Sequence, residues 1–399
     1  MRRTLTALTL LLGLPLSVVA CLWDRDTPAD EAKGMPEVVA VLTGRFERNP
    51  PRFYEMRLAR VTAQLESHPE DLAGYDDAGV ACDRLGRGDE AISWMEKKQT
   101  QLEKHEDSLP EVKEQRYRYH ANLGTFLVHR WVRQGADRSK IDEVKAARDE
   151  IAKALEINPN AHFGREKYQL RAIQWIIDPP RAAGLRDLPN LLGWSMETIY
   201  KQADPQQADD AVRGLAGLIV LGNAWESVDI FHALSAALQN DTLGFGQNLD
   251  GGRNTLAYFA WLRCRELIDA GKNSMLPDAP KGEALKGALL QPDFVEGAPL
   301  LTPTFTKLRA EADAWHTARN AFMTRRLNEG HHPDSDPSFW DGYTEQPAPE
   351  LPTTSISKAA NTSPASPDWT ILFVVIGIPV LAVGLVAGSL VVRRAKARR

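Results

Sequence analysis

Small and aromatic residues between Asp71 and Lys98 repeat at the spacing that most constrains how this chain can fold. They recur three or four positions apart along two successive segments, in the first at Tyr75, Gly79 and Cys82 and in the second at Ala91 and Met95. Positions three and four apart share one face of an α-helix, and small side chains let two helices approach closely. The spacing therefore predicts a helical hairpin with its turn between Leu85 and Asp89.

A second copy follows, with a longer turn and with about eleven residues inserted around Arg130 to Ile141. Its small positions and its end are Gly124, Ala147, Ala154 and Pro159. The two copies, residues 71–160, resemble the tetratricopeptide repeat (TPR), whose consensus places small residues where Gly79 and Ala91 stand. The resemblance implies an α-solenoid, in which stacked hairpins bury a continuous core.

The pattern weakens after residue 160. Degenerate hairpins are expected over residues 161–330, with helices near Ala161 to Trp175 and Leu188 to Lys201, and with a capping helix over Thr304 to Asn328. Residues 21–70 are expected to form a helical lead-in. The predicted fold class is therefore all-α.

The N-terminus has the features of a secretory signal peptide over residues 1–20. Arg2 and Arg3 precede a short apolar run that ends in Val-Val-Ala-Cys at positions 18–21. That ending suits ordinary signal peptidase, and it also resembles a bacterial lipobox, in which Cys21 would be lipidated. The sequence Cys-Leu-Trp-Asp-Arg-Asp-Thr that begins at Cys21 is similar to the opening of uncharacterised exported bacterial TPR proteins.

Residues 369–392 form an uncharged apolar stretch of 24 residues, long enough as a helix to cross a bilayer at about 1.5 Å per residue. The basic tail 393–399 predicts a cytoplasmic C-terminus, so the body would lie outside, in the periplasm or at the cell surface. Gly384 and Gly388 have the spacing of a helix dimer contact. Leu351 to Thr354 also resemble a sortase signal, although Ser355 stands where that motif needs glycine.

Residues 331–368, rich in proline, serine and threonine, predict a disordered stalk ahead of this span. Phe339, Trp340 and Tyr343 are unusual in such a segment. We expect them to dock on the folded body, and the alternative is an exposed recognition peptide.

Charge argues against nucleic acid as a partner. The formal charge is −5, and the ends contribute two arginines within residues 1–20 and five basic residues within 393–399, so the rest of the chain carries −12. An acidic body repels a phosphate backbone. Three cysteines are too few for a disulfide framework, and Cys82 and Cys264 are predicted to be buried free thiols.

The sequence predicts no catalytic residue, no cofactor and no metal. The common local signatures of phosphate-binding loops, zinc proteases, serine hydrolases and redox dithiols are absent. The glycine-rich stretch from Leu243 to Arg253 is interpreted as a connection between helices. His331, His332, Asp334 and Asp336 have the spacing of metal ligands, but a solvated polar linker is the favoured interpretation.

The TPR resemblance also implies a ligand groove on the inward face of the first helices of the hairpins. Its candidate lining residues are Asp76, Asp83, Arg118, Thr125, His129, Arg165 and Gln169. Val80 and Thr125 stand where the carboxylate clamp of the family needs asparagine, so chaperone tails are not expected as ligands.

Two functions remain open from the sequence. The first is a membrane-tethered scaffold that binds a protein or peptide of the cell envelope and catalyses nothing. The alternative is an envelope enzyme, or a subunit of one, with a site assembled from distant residues within 161–330.

Overall fold

The computed structural model describes residues 22, 25, 38–106, 108–159, 164–195, 204–239, 254–292 and 298–348. These residues form twelve α-helices and two short 3₁₀ turns, with no strand among them. The described part of the chain is therefore all-α, as predicted.

The first four helices are α1 (Val38–Thr43), α2 (Pro51–Ser67), α3 (Leu72–Arg84) and α4 (Gly88–Leu102). Helices α3 and α4 form the hairpin predicted at Asp71 to Lys98. Asp71 caps α3 by accepting a hydrogen bond from the Gly74 amide at 3.2 Å. A β-carbon on Gly79 would lie 2.9 Å from the Phe126 ring, so this glycine permits the close approach that its position predicts.

The second hairpin consists of α5, Pro110–Arg133, and α6, Ile141–Ile157. A β-carbon on Gly124 would lie 2.8 Å from the Ile151 side chain and 2.9 Å from the Ala147 carbonyl oxygen. The longer turn is confirmed, since residues 134–140 connect the helices and include the 3₁₀ turn Arg138–Lys140.

Six further helices follow, although the chain is not helical everywhere that the pattern indicates. They are α7, Arg165–Ile177, α8, Pro205–Val220, α9, Val228–Gln239, α10, Asn254–Asp269, α11, Glu283–Ala288, and α12, Ala298–Asn328. The helix expected at Leu188 to Lys201 is wrong over 188–195, which forms turns. The Asn190 side chain accepts hydrogen bonds from the amides of Leu192 and Trp194 and donates to the Trp194 carbonyl, which fixes a turn instead of a helix.

The first and last helices of the described body meet. From α2 to α11, helices adjacent in sequence pack against each other, and α12 contacts α1, α2 and α10. The short helix α1 contacts α8, α10 and α12, and Val41 and Leu42 within it are fully buried. Helix α1, which lies within the predicted lead-in, is therefore part of the core of this body.

Residues 331–348 belong to the same body, so the stalk boundary predicted at His331 is wrong. Phe339 is 1% exposed and packs in an apolar cluster with Phe53, Met323 and Leu327. The predicted docking of the three aromatic residues is confirmed, because Trp340 stacks on Phe322 of α12 and the tilted Tyr343 ring packs against the same side chain. Their rings supply the apolar area that the neighbouring prolines and serines lack.

Among the helices that the structure describes, none combines the length and the apolar composition of a membrane span. Several predicted features lie outside the described residues: the signal peptide at 1–20, Cys21, the glycine-rich stretch at 243–253, and the span at 369–392 with Gly384 and Gly388.

Candidate functional site

The structure places six of the seven predicted groove residues in the interior. Asp76 and Asp83 lie on α3, Thr125 and His129 on α5, and Arg165 and Gln169 on α7, and each is at most 1% exposed. Arg118, also on α5, is partly exposed, and its Nε donates to Glu114 at 2.9 Å. These positions connect three helices instead of lining an open surface.

Asp76 joins the first hairpin to the second. Its carboxylate accepts from Nζ of Lys98 at 2.6 Å and from Nδ2 of Asn122 at 3.0 Å. Lys98 is fully buried and also donates to Gln115 at 2.9 Å. Burial raises the pKa of Asp76 because desolvation of the carboxylate outweighs the attraction of Lys98. The contact therefore holds α3, α4 and α5 together.

Asp83 repeats this arrangement two helical turns further along α3. It contacts Nδ1 of His129 at 2.7 Å and Nη1 of Arg133 at 2.7 Å. Burial alone would raise the pKa of Asp83, but His129 and Arg133 lower it, whereas burial lowers the pKa of His129. Near pH 7 the carboxylate is thus ionised, and a neutral imidazole donates to it.

Helices α5 and α7 are joined in the same way. Nε2 of Gln169 donates to Oγ1 of Thr125 at 3.0 Å, and the Tyr117 hydroxyl donates to Glu166 at 2.7 Å. Arg165 lies 3.4 Å from the same carboxylate. Burial raises the pKa of Glu166, against the attraction of Arg165.

These contacts form what we call the polar ladder, the pairs Asp76–Asn122, Asp83–His129 and Thr125–Gln169. The first two pairs are each separated by 46 residues. A constant separation at positions seven apart means that α3 and α5 run parallel and in register. The expectation of an exposed groove lining is corrected here, because the six buried residues contact one another or other residues of the same helices and their neighbours.

Sequence reasoning found this helix face and missed the partners on it. Lys98, Asn122 and Arg133 were not expected to contact the groove residues. The only sequence signal for them is the repetition of polar residues seven apart, at Asp76 and Asp83 and again at Asn122 and His129.

A second charged cluster, which we call the clasp, consists of Arg25, Arg57, Arg60, Asp77 and Asp334. Asp334 accepts from Nε of Arg57 at 2.8 Å, contacts Arg60 closely and lies 3.7 Å from Arg25. Asp77 on α3 accepts from the Arg25 backbone amide at 2.8 Å and from its Nε at 2.6 Å. The clasp joins residue 25, α2, α3 and the segment after α12 at one place.

The region of the alternative enzyme site, 161–330, holds buried ionisable groups that support packing. Asp229 accepts from Oγ of Ser274 at 2.6 Å and from the Met275 amide at 2.8 Å, and burial raises its pKa to about 6. His232 accepts from the Leu290 amide at 3.0 Å, and burial lowers its pKa to about 4. Cys264 donates to a backbone carbonyl at 3.6 Å. Each group anchors a loop or a helix.

Cys82 and Cys264 are free and buried, as predicted. Burial raises the pKa of both thiols, that of Cys82 to about 11, so neither is an activated nucleophile.

The four candidate metal ligands at 331–336 are engaged in other contacts. His332 is 3% exposed and its Nε2 lies 3.1 Å from the Phe53 carbonyl oxygen, while Asp334 belongs to the clasp. His331 contacts Asp336 at 2.7 Å. Across the part of the chain that the structure describes, no group of three histidine, cysteine, aspartate or glutamate side chains is arranged to hold a metal ion. Comparison with protein-family models, with curated proteins and with solved structures finds no match to this chain.

Proposed function

We propose that this chain is a membrane-tethered scaffold that binds proteins outside the cytoplasm and catalyses no reaction. The observation that carries the proposal is the polar ladder, which locks the first helices of successive hairpins in one register. A stack of this kind supplies rigid surface, and stacked hairpins are the architecture of repeat proteins that bind partners.

The use of ionisable groups also supports a scaffold. Asp76, Asp83, Glu166, Asp229 and His232 are all buried, and each is paired with a helix or a loop of the same body. A catalytic acid or base has to reach a substrate, which a group enclosed by its own packing contacts does not do. We therefore favour the scaffold over an enzyme with a site within 161–330.

The remaining parts of the proposal rest on sequence. Residues 71–160 are proposed as two TPR units of a longer α-solenoid, and residues 369–392 as a single transmembrane helix with a cytoplasmic tail. A tether raises the effective concentration of the body near the membrane, so modest affinity for an envelope protein suffices.

Proximity labelling from the full chain tests the proposal. A labelling enzyme is inserted after residue 348, where the described body ends. The matched control carries the same enzyme but lacks residues 22–348, which leaves the signal peptide and the tether. We expect a small set of envelope proteins to be labelled by the full chain and not by the control. Identical labelling by both proteins would show that the body recruits nothing.

A further inference from the structure

The first described residues of the chain lie on the repeat body as a peptide ligand would. Leu22 is 4% exposed and belongs to the apolar cluster that also contains Val61 and Leu65 of α2 and Tyr75 of α3. Three residues later, Arg25 contacts Asp77 of α3. An apolar side chain and a cation are thus both bound by the same hairpin region.

Asp77 contacts both the backbone and the side chain of Arg25. Its Oδ1 accepts the backbone N–H at 2.8 Å, and its Oδ2 accepts the guanidinium Nε at 2.6 Å. The Asp77 carboxylate therefore fixes the position of the Arg25 main chain and also binds its side chain. It favours arginine, because a guanidinium presents its donors in a geometry that suits a carboxylate. Asp77 is 2% exposed, so the carboxylate side of this contact is buried.

The Arg25 side chain is only partly enclosed, at 33% exposed, and its second contact is Asp334, at 3.7 Å. The acceptor, Asp77, is therefore buried in the body, whereas the residue bound to it, Arg25, is more accessible to solvent. Loss of Arg25 would remove this cation from the buried Asp77 carboxylate and open the position to another guanidinium.

We propose that Asp77 and the apolar cluster beside it form a peptide-binding site for segments that carry an apolar residue three positions before an arginine, and that Leu22 and Arg25 of this chain occupy it as an internal ligand. This inference rests on the proposed scaffold function, since it names the class of partner segment. A partner of this kind binds by displacing the chain's own N-terminal residues.

A labelled synthetic peptide tests the site on the full chain purified in detergent. The peptide has the sequence of residues 22–28, Leu-Trp-Asp-Arg-Asp-Thr-Pro, with a fluorophore at its C-terminus, and binding is measured by fluorescence anisotropy. We expect weak binding to the unmodified chain, because its own segment competes, and at least about tenfold tighter binding to Arg25→Ala, in which the site is released. The same peptide with alanine in place of arginine should not bind.

The double variant Arg25→Ala/Asp77→Asn provides the matched control, because asparagine has nearly the shape of aspartate without its charge. It should lose the tight binding, while circular dichroism and the unfolding temperature report that the helices remain. If Arg25→Ala does not fold, Arg25→Lys is used, which keeps a charge but loses the paired geometry and should bind the peptide more tightly than the unmodified chain.

Two results would overturn the inference: the released variant binds the peptide no better than the unmodified chain does, or the double variant binds it equally well. Failure of this experiment with continued specific proximity labelling would remove the site and leave the scaffold proposal in place. Peptide binding without specific labelling would count against the scaffold and not against the site.

Discussion

Phe339→Ala offers the most direct measure of how firmly the segment after α12 is held. The ring is 1% exposed within the cluster of Phe53, Met323 and Leu327. Replacing a buried phenylalanine by alanine costs about 3–5 kcal/mol. Since Phe339 lies on a segment that can relax outward, we expect the lower value, about 3 kcal/mol, which corresponds to roughly a hundredfold increase in local opening.

Native-state hydrogen exchange measures this opening. The reporting amides are those of Phe339 and Tyr343, which donate to the Asp336 and Trp340 carbonyl groups at 3.0 Å. They should exchange about a hundred times faster in Phe339→Ala, while amides in α3 and α5 keep their protection.

Asp341→Ala is the matched control, because this exposed residue lies two positions away on the same segment. It should leave the exchange rates unchanged. Equal exchange in the unmodified chain and in Phe339→Ala would refute the reasoning, because it would mean that the ring contributes no stability to the segment.

Three further predictions concern the packing, the clasp and the thiols. Gly124→Ala should destabilise the body by about 1–3 kcal/mol in thermal unfolding, because its new methyl group would press on α6, whereas Gly287→Ala, with no atom within 4 Å of the added carbon, should be neutral or slightly stabilising. Burial alone would raise the pKa of Asp334, but its arginine partners lower the pKa to about 2. The contribution of Asp334 to the free energy of unfolding is therefore complete above about pH 4 and is lost as the pH falls toward 2. Asp334→Asn should therefore be about 2 kcal/mol less stable at pH 7 and lose less stability over that acid range in urea unfolding. Cys82 and Cys264 should resist iodoacetamide at pH 8 in the native chain and react fully in denaturant, as peptide mapping by mass spectrometry would show.

Helical hairpins were accessible from sequence because their signal is local. Gly79 lies four residues after Tyr75 and three before Cys82, on one face of a helix. Gly79 and Gly124 each take part in a close helix contact in the structure. The same periodicity predicts a helix wrongly where a polar side chain forms hydrogen bonds with backbone groups that a helix would use. Asn190 forms hydrogen bonds with residues two and four positions later and replaces the expected helix with a turn.

The helix face that carries the polar ladder was also predictable, but its environment was not. The TPR resemblance implied an inward position for Asp76, Asp83 and His129. The sequence does not reveal that Lys98 reaches Asp76 or that Arg133 reaches Asp83. A partner on another helix depends on crossing angle and register, which many weak contacts decide together.

By itself, the sequence determined the all-helical class of the described residues and the positions of the close contacts at Gly79 and Gly124, because helical period and side-chain size act over three or four residues. Tertiary structure decided that α12 contacts α1 and α2, and that Arg57 meets Asp334 across 277 residues of chain. Such a meeting depends on how all the helices between the two residues pack together, and no local pattern encodes that sum.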